Sequence, residues 1–323
     1  MTVRGVSFYH GLGMRDVKDD TVALCCPYCA GPAAHFFAAR DVNRNTSDEA
    51  FDYLRCADCR LTFLRNIPED MARHYAGGYQ PIPGSLDRFT RVAARDAYRL
   101  EAITDLKRGG RLLEIGPWMG AFAFNAKRAG FSVTTIEMNA DCVEFMRNRL
   151  GIDAIHSSDP AAAMSRLKEP FDVIVMWHCL EHLHSPWEVI KEAARLLNVD
   201  GLLVIGIPNI ESYEFTKLGS SWTHIDAPRH FTFFSQQGLR DVCGRFGLSC
   251  VRETTDDRLS RILRRSSWQA WASRLIPIPL VKRIFGATFG RLVSWMLIGK
   301  KPGAGLTAVF SRPADRGRSP SSV

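Results

Sequence analysis

A chain of 323 residues, 46% hydrophobic and 24% charged, has the composition of a globular protein able to bury the core of one large domain or two modest ones. The first twenty residues are too polar for a signal peptide, so a cytoplasmic chain is expected, with nine reduced cysteines whose close pairs indicate metal rather than disulfides. The net charge of +8 is concentrated: ten Lys/Arg and no Asp/Glu stand between Arg258 and Lys301, which argues against a surface built all over for nucleic acid.

In chain order, residues 1–20 read as a flexible N-terminus and 21–80 as a cysteine-bearing, loop-rich module. Residues 86–107 read as a helix, because Phe89, Val92, Ala93, Leu100 and Ile103 recur at helical spacing before the stop at Gly109–Gly110. From Arg111 short apolar runs alternate with helical stretches. Strands are expected at "RLLEIG", "SVTTIEM", "DAIHS", "FDVIVMW" and "GLLVIGI", and helices near 120–130, 140–150, 160–168 and 186–197. That alternation implies βαβ units and a parallel sheet buried on both faces. A helix near 235–246 and a strand "LSCVRET" extend this core over 81–257. Residues 258–301 read as a basic amphipathic helical insertion, 302–312 as the last core strand, and 313–323 as a disordered tail.

Two features mark the front of the core. "LLEIGPWMG" puts Gly116 at the end of a strand and Gly120 at the opening of a helix, where glycine permits positive φ and a ligand can approach the backbone. Trp118 stands where a dinucleotide loop would carry its middle glycine, which disfavours a phosphate cradle. Glu137 ends the next strand, 17 residues after Gly120, where an acid can accept from both hydroxyls of a ribose.

With these residues in view, 109–255 resemble the class I S-adenosylmethionine (SAM)-dependent methyltransferases. The run "FDVIVMWHCLEHLHSPWEVIKEAARLLNVDGLLVIGIPN" is similar to their fourth and fifth strands. The resemblance implies a seven-stranded, doubly wound, Rossmann-like α/β sheet with its last strand antiparallel. It also implies SAM as cofactor, held by Glu114, Gly116, Pro117, Gly120, Glu137, Met138 and Trp177. The motif "WHCLEH" has the His-x-x-Glu-His spacing of an inverted zinc peptidase, yet a strand precedes it and Pro186 follows, so its histidines do not share a regular helix. Glu181–His182 looks instead like the Glu-His pair of many such methyltransferases, with His178, Glu181 and His182 bordering donor and acceptor. Imidazole titrates near neutrality, so His182 or His224 is the expected general base.

"CPYC" and "CADC" place Cys26, Cys29, Cys56 and Cys59 as two knuckles suited to a closed tetrahedral structural zinc site, with a redox pair as the alternative and Cys25 as a spare. The stretch from there to Tyr75 and Tyr79 resembles the zinc-binding module of bacterial sugar-nucleotide and polysaccharide methyltransferases. In that group the module caps the cleft and helps shape the acceptor site.

After the fifth strand, Trp222, His224, Asp226, Arg229 and His230 crowd into nine positions of a long loop, an aromatic face with a cation suited to a phosphorylated sugar. Residues 258–301 add Trp268, Trp271, Phe285, Phe289 and Trp295 to their basic residues, without an apolar run long enough to span a bilayer. Such a segment suits the inner face of an anionic membrane, a cleft cover or dimer interface, or RNA. The expectation is therefore methyl transfer to a sugar, sugar nucleotide or lipid-linked polar molecule. The alternatives are a quinone-type O-methyltransferase, a ribosomal RNA methyltransferase with a zinc knuckle, and an inactive membrane-docked scaffold. Against RNA, no Asn-Pro-Pro-aromatic sequence follows the fourth strand.

Overall fold

The computed structural model describes residues 24–75, 81–276 and 279–314. The expected flexible N-terminus, most of the tail and Tyr79 lie outside the described residues.

The described residues open with three antiparallel strands, β1 (Ala33–Arg40), β2 (Ala50–Cys56) and β3 (Thr62–Leu64), and a short helix α1 (Met71–His74). The region read as loop-rich thus holds a sheet, because the two cysteine knuckles turn the chain back at "CPYC" and "CADC" and leave the residues between them to pair. Helix α2 (Leu86–Asp96) is capped by the Ser85 hydroxyl, which accepts from Arg88 N–H. It does not run to 107: a 3₁₀ segment (Ala97–Ala102) replaces its second half. The buried faces of Tyr98 and Ile103 are still set against the core, so the apolar spacing is met by a different backbone.

The core then alternates as expected: β4 (Gly110–Ile115), α3 (Ala121–Arg128), β5 (Phe131–Glu137), α4 (Ala140–Leu150), β6 (Asp153–His156), α5 (Pro160–Ser165), β7 (Phe171–Trp177), α6 (Pro186–Leu196) and β8 (Leu197–Pro208). A connection carrying α7 (Tyr213–Leu218) and the short β9 (Thr232–Phe233) leads to α8 (Gln236–Arg245) and β10 (Ser249–Thr254). Two long helices, α9 (Arg258–Arg274) and α10 (Pro279–Leu297), precede β11 (Gly305–Ser311). Side-chain caps from Asn139, Asp159, Ser235 and Asp257 start α4, α5, α8 and α9, each satisfying an otherwise orphaned N–H.

The large sheet has the order β10-β11-β8-β7-β4-β5-β6. β11 is antiparallel to both neighbours and the remaining pairs are parallel. One apolar cluster fills the side that carries Phe122 and Trp177, the other the side that carries Ile174 and Ile190. The sequence order reverses between β4 and β7, and ligands bind in the crevice at the carboxyl end of such a switch point.

The small sheet has the order β1-β2-β3-β9, so its fourth strand comes from the connection after β8. The Leu64 N–H donates to Phe231 O at 2.8 Å, continuing that pairing. The cysteine-bearing strands and the loop that borders the crevice are therefore one hydrogen-bonded unit.

Candidate active site and cysteine centre

The crevice begins at the turn after β4. Gly116 (φ 69°), Trp118 (φ 51°) and Gly120 (φ 80°) all take left-handed backbone. A Cβ on Gly116 would lie 2.6 Å from Cys179 Sγ, and one on Gly120 2.8 Å from Met146, so both glycines are demanded by packing as well as by φ. Trp118 bears a strained conformation, and the cause is visible: its N–H donates to Glu137 Oε2 at 2.9 Å, while Asn139 N–H donates to Oε1 at 2.8 Å. Glu137 is thus the post on which the loop hangs. Burial raises its pKa, and the two N–H donors work against that rise. Each carboxylate oxygen keeps a second lone pair for a ribose. Pro117 is buried in the same turn, and Met138 beside Glu137 leaves 64% of its surface open.

Among the described residues, Glu114 Oε2, Trp177 Nε1 and Arg99 Nε are neighbouring buried atoms that lack a hydrogen-bond partner, as do His178 Nε2 and Glu181 Oε2 beyond them. Glu114 sits on β4 and Trp177 at the end of the adjacent β7. The Arg99 guanidinium lies over the Trp177 ring, 5.5 Å from its centroid, and its charge reaches Glu114. Burial pushes the Glu114 carboxyl up to about 8, against the pull of Arg99. An orphaned acceptor beside a guanidinium and an orphaned indole N–H fits a ligand carrying both an ammonium and a carboxylate, the amino-acid end of SAM. Sequence reasoning missed Arg99, which looked like one more basic residue on an amphipathic helix; only the 3₁₀ turn brings it over Trp177.

The acceptor side is built on the turn after β7. His178 also adopts left-handed backbone (φ 53°). Its Nδ1 lies 3.1 Å from Glu181 Oε1, while its Nε2 is buried and unpartnered. Glu181 is itself buried; burial opposes ionisation, but the His178 hydrogen bond and the surrounding imidazoles hold its pKa at about 2. The carboxylate is therefore ionised and accepts a hydrogen bond from His178 Nδ1–H; in the neutral imidazole this tautomer leaves the lone pair on Nε2. His182 Nδ1 donates to Arg229 O at 2.9 Å and lies 3.5 Å from the Tyr75 hydroxyl. His230 Nδ1 donates to His224 O at 3.0 Å, and its Nε2 lies 4.0 Å from Glu181. Burial and the neighbouring His182 lower the His230 pKa to about 4, so His230 is neutral at physiological pH. Glu181, His182 and His230 each bring one potential ligand atom within 4.8 Å of the others.

Four expectations for the long loop do not survive its folding. Trp222 is fully buried, and its indole N–H donates to Ser267 Oγ on α9, so it is a packing residue rather than a sugar platform. His224 is turned the same way: its Nε2 donates to Leu263 O at 3.2 Å, and burial lowers its pKa to about 4, so it is not the base of the crevice. Arg229 is not an anion anchor. Its guanidinium is buried and wholly engaged by Asp41, Asp226 and His74 O, with Asp41 Oδ1 at 2.6 Å and Asp226 Oδ1 at 2.7 Å. Asp226 is likewise spent on Arg229 and on Asn43, whose amide donates to it at 2.6 Å. These residues hold the loop instead of meeting a substrate, because β9 draws them inward against the small sheet.

The four knuckle cysteines converge on the other side of that sheet. Cys26 and Cys59 sulfurs lie 3.6 Å apart, Cys29 and Cys56 sulfurs 3.5 Å, and all four within 4.8 Å. Disulfides have S–S bonds near ~2.05 Å; the sulfurs here instead approach the ~3.8 Å edge that a tetrahedron of ~2.3 Å metal–sulfur bonds requires. Ala30 and Arg60 follow the second cysteine of each knuckle with matching left-handed φ values of 58° and 59°. Cys25 is exposed and stands outside the cluster.

The parallel sheet, its antiparallel last strand and the glycine turn facing Glu137 define a class I SAM-dependent methyltransferase domain. Residues 86–253, just over half of the chain, match the sequence model of a methyltransferase-domain family, and the chain belongs to that family. It is 28% identical over 159 residues to the ubiquinone biosynthesis O-methyltransferase of Caulobacter sp. (strain K31), covering 44% of this chain and 63% of that one. It is 29% identical over 167 residues to the methyltransferase GfsG of Streptomyces halstedii, covering 49% and 57%. The chain thus spans about three fifths of the length of these curated relatives. Among solved structures, a SAM-dependent methyltransferase from Archaeoglobus fulgidus superposes with a TM-score of 0.48 at 16% identity, over 68% of this chain and 94% of that one.

Proposed function

We propose that the protein transfers the methyl group of SAM to a hydroxyl of a small acceptor, with His178 as the general base. The observation that carries this reading is the buried, unpartnered Nε2 of His178, with Nδ1 held on the ionised Glu181. When bound, the donor supplies a methyl group on a sulfonium, open to in-line attack. Arg99, Trp177 and Glu114 would hold its amino-acid end and Glu137 its ribose. Glu181 fixes the His178 tautomer and orientation and stabilises the imidazolium that forms as Nε2 takes the hydroxyl proton. His182, aligned by Arg229 O and near Tyr75, lines the same mouth and would orient the acceptor.

For the acceptor, the relatives named ubiquinone biosynthesis O-methyltransferases support an aromatic hydroxyl of quinone type. Burial of Trp222 and engagement of Arg229 withdraw two contacts on which a phosphorylated sugar relied. A sugar acceptor keeps the support of the cysteine module, which we read as a structural zinc site that tethers the acceptor loop through β9.

Calorimetric titration of the zinc-replete protein with SAM, followed by turnover of dihydroxybenzoate-type phenols and of nucleotide sugars, tests this reading. Saturable one-site binding is expected, with phenols turned over faster. In His178→Asn, which tolerates the left-handed backbone, kcat should fall by about 10²–10⁴-fold with the SAM Kd unchanged. A folded protein that does not bind SAM overturns the enzyme reading. A weakened SAM Kd in His178→Asn moves that residue to the donor site.

A further inference from the structure

The α9–α10 hairpin has no role in the chemistry above, and its surface is unlike the rest of the molecule. Three small residues, Gly286, Gly290 and Ser294, recur every fourth position of α10 and face α9. A Cβ on Gly290 would lie 2.7 Å from Arg265 O, so the two helices approach at backbone contact. With that face used, α10 turns Ile284, Phe285, Leu292, Trp295 and Met296 outward, and Trp295 is 72% exposed. Exposed apolar side chains in such a continuous stripe cost solvation unless something covers them.

The charge around the stripe is of one sign. No Asp or Glu occurs from Arg258 to Lys301, against ten Lys/Arg. Arg258, Arg261, Arg265 and Arg291 line a shallow groove between the helices, with Trp295 at its edge. Arg258 lies over Tyr98 and Arg261 pairs with Asp256, while Arg265 and Arg291 have no carboxylate partner among the described residues. No helix of the described residues is long and apolar enough to cross a membrane.

We propose that the α9–α10 hairpin is a docking face for an anionic bilayer surface, with Trp295, Leu292, Met296 and Ile284 entering the headgroup–acyl boundary and Arg265 and Arg291 pairing with lipid phosphates. The mixture selects this occupant. Aliphatic side chains beside arginines match a boundary that is apolar on one side and anionic on the other. A second copy of the same face would set like charge against like charge. A nucleic acid would leave Ile284, Leu292 and Met296 without partners. The docking face is also rigidly joined to the crevice loop: Trp222 and His224 bond to α9, and Arg264 pairs with Glu214 of α7 at 3.0 Å. Docking would thus hold the acceptor side of the protein close to the membrane, where lipid-borne acceptors reside.

Flotation of the full chain with vesicles of phosphatidylcholine alone, and of equal parts phosphatidylcholine and phosphatidylglycerol, reads this directly and without turnover. Failure here is therefore separate from failure of the methyltransferase reading. The expected result is recovery with the anionic vesicles only, reversed by salt. Arg265→Glu/Arg291→Glu should lower partitioning at least about tenfold, and Trp295→Ser should lower it separately at unchanged charge. Arg291 and Trp295 are exposed and Arg265 half-buried, none of them in the core, so the melting temperatures of both variants should match the parent. Equal recovery with neutral vesicles, no recovery with either, selective retention of single-stranded RNA, or a concentration-dependent dimer abolished by the same substitutions would each overturn the proposal.

Discussion

Glu114 shows how much one side chain's surroundings decide. In the free protein its carboxyl titrates near 8 because it is buried, so at pH 7 most molecules carry it protonated. An ammonium placed against it would draw the pKa down, and the proton would leave as SAM binds. Proton release approaching one per SAM is therefore expected near pH 7, fading as the pH rises past 8. Calorimetry in buffers of different ionisation enthalpy measures it, and Glu114→Gln should abolish it. Release that persists in that variant would assign the proton to another group. At this scale the sequence was partly legible. Glu114, Gly116 and Glu137 stood in recognisable places, whereas Arg99, Trp222 and Arg229 did not reveal which way they would face. A guanidinium's role is set by the carboxylates around it, and Asp41 lies 188 positions from Arg229.

Elements were easier to read than residues. The strands from β4 to β8 and the helices between them fall where the alternating apolar runs put them, since a strand buried on both faces needs a continuous apolar run. The second half of the 86–107 helix failed because apolar spacing does not distinguish an α-helix from successive 3₁₀ turns. β9 was invisible: two residues, Thr232 and Phe233, carry no periodicity, and they are a strand only because β3 lies beside them. If the cysteine centre holds zinc, that pairing makes a prediction. Chelation, or Cys59→Ser, should release the metal and raise hydrogen exchange at the amides of 229–233 while leaving those of β4 and β7 protected. Unchanged exchange in 229–233 would show that the loop is held without the metal.

Across the whole molecule, the cluster of Asp41, Arg229 and Asp226 binds the cysteine-bearing sheet to the core. Burial works against ionising both aspartates, but the Arg229 hydrogen bonds hold their pKa values well below the usual carboxylate range. A depressed carboxylate contributes stability that is present above its unfolded pKa near 4 and lost as the pH falls below it. Asp41→Asn should cost about 3–5 kcal/mol at neutral pH, because the buried guanidinium loses a charged partner. In urea melts the gap between parent and variant should narrow below pH ~4. A gap that does not change with pH would mean that the carboxylate charge contributes nothing.

What the sequence determined by itself was the class of architecture and the chemistry available: an α/β alternation, a glycine turn followed by an acid, four cysteines in two knuckles, and histidines after the fourth strand. Those are local patterns, set by side-chain periodicity and short spacings along the chain. Tertiary structure alone decided which histidine nitrogen is buried without a partner, which arginine lies over Trp177, and which loop residues are spent on holding the small sheet. Those outcomes depend on burial and on partners distant in sequence, because a buried charge or N–H is satisfied by whatever group the fold brings within reach.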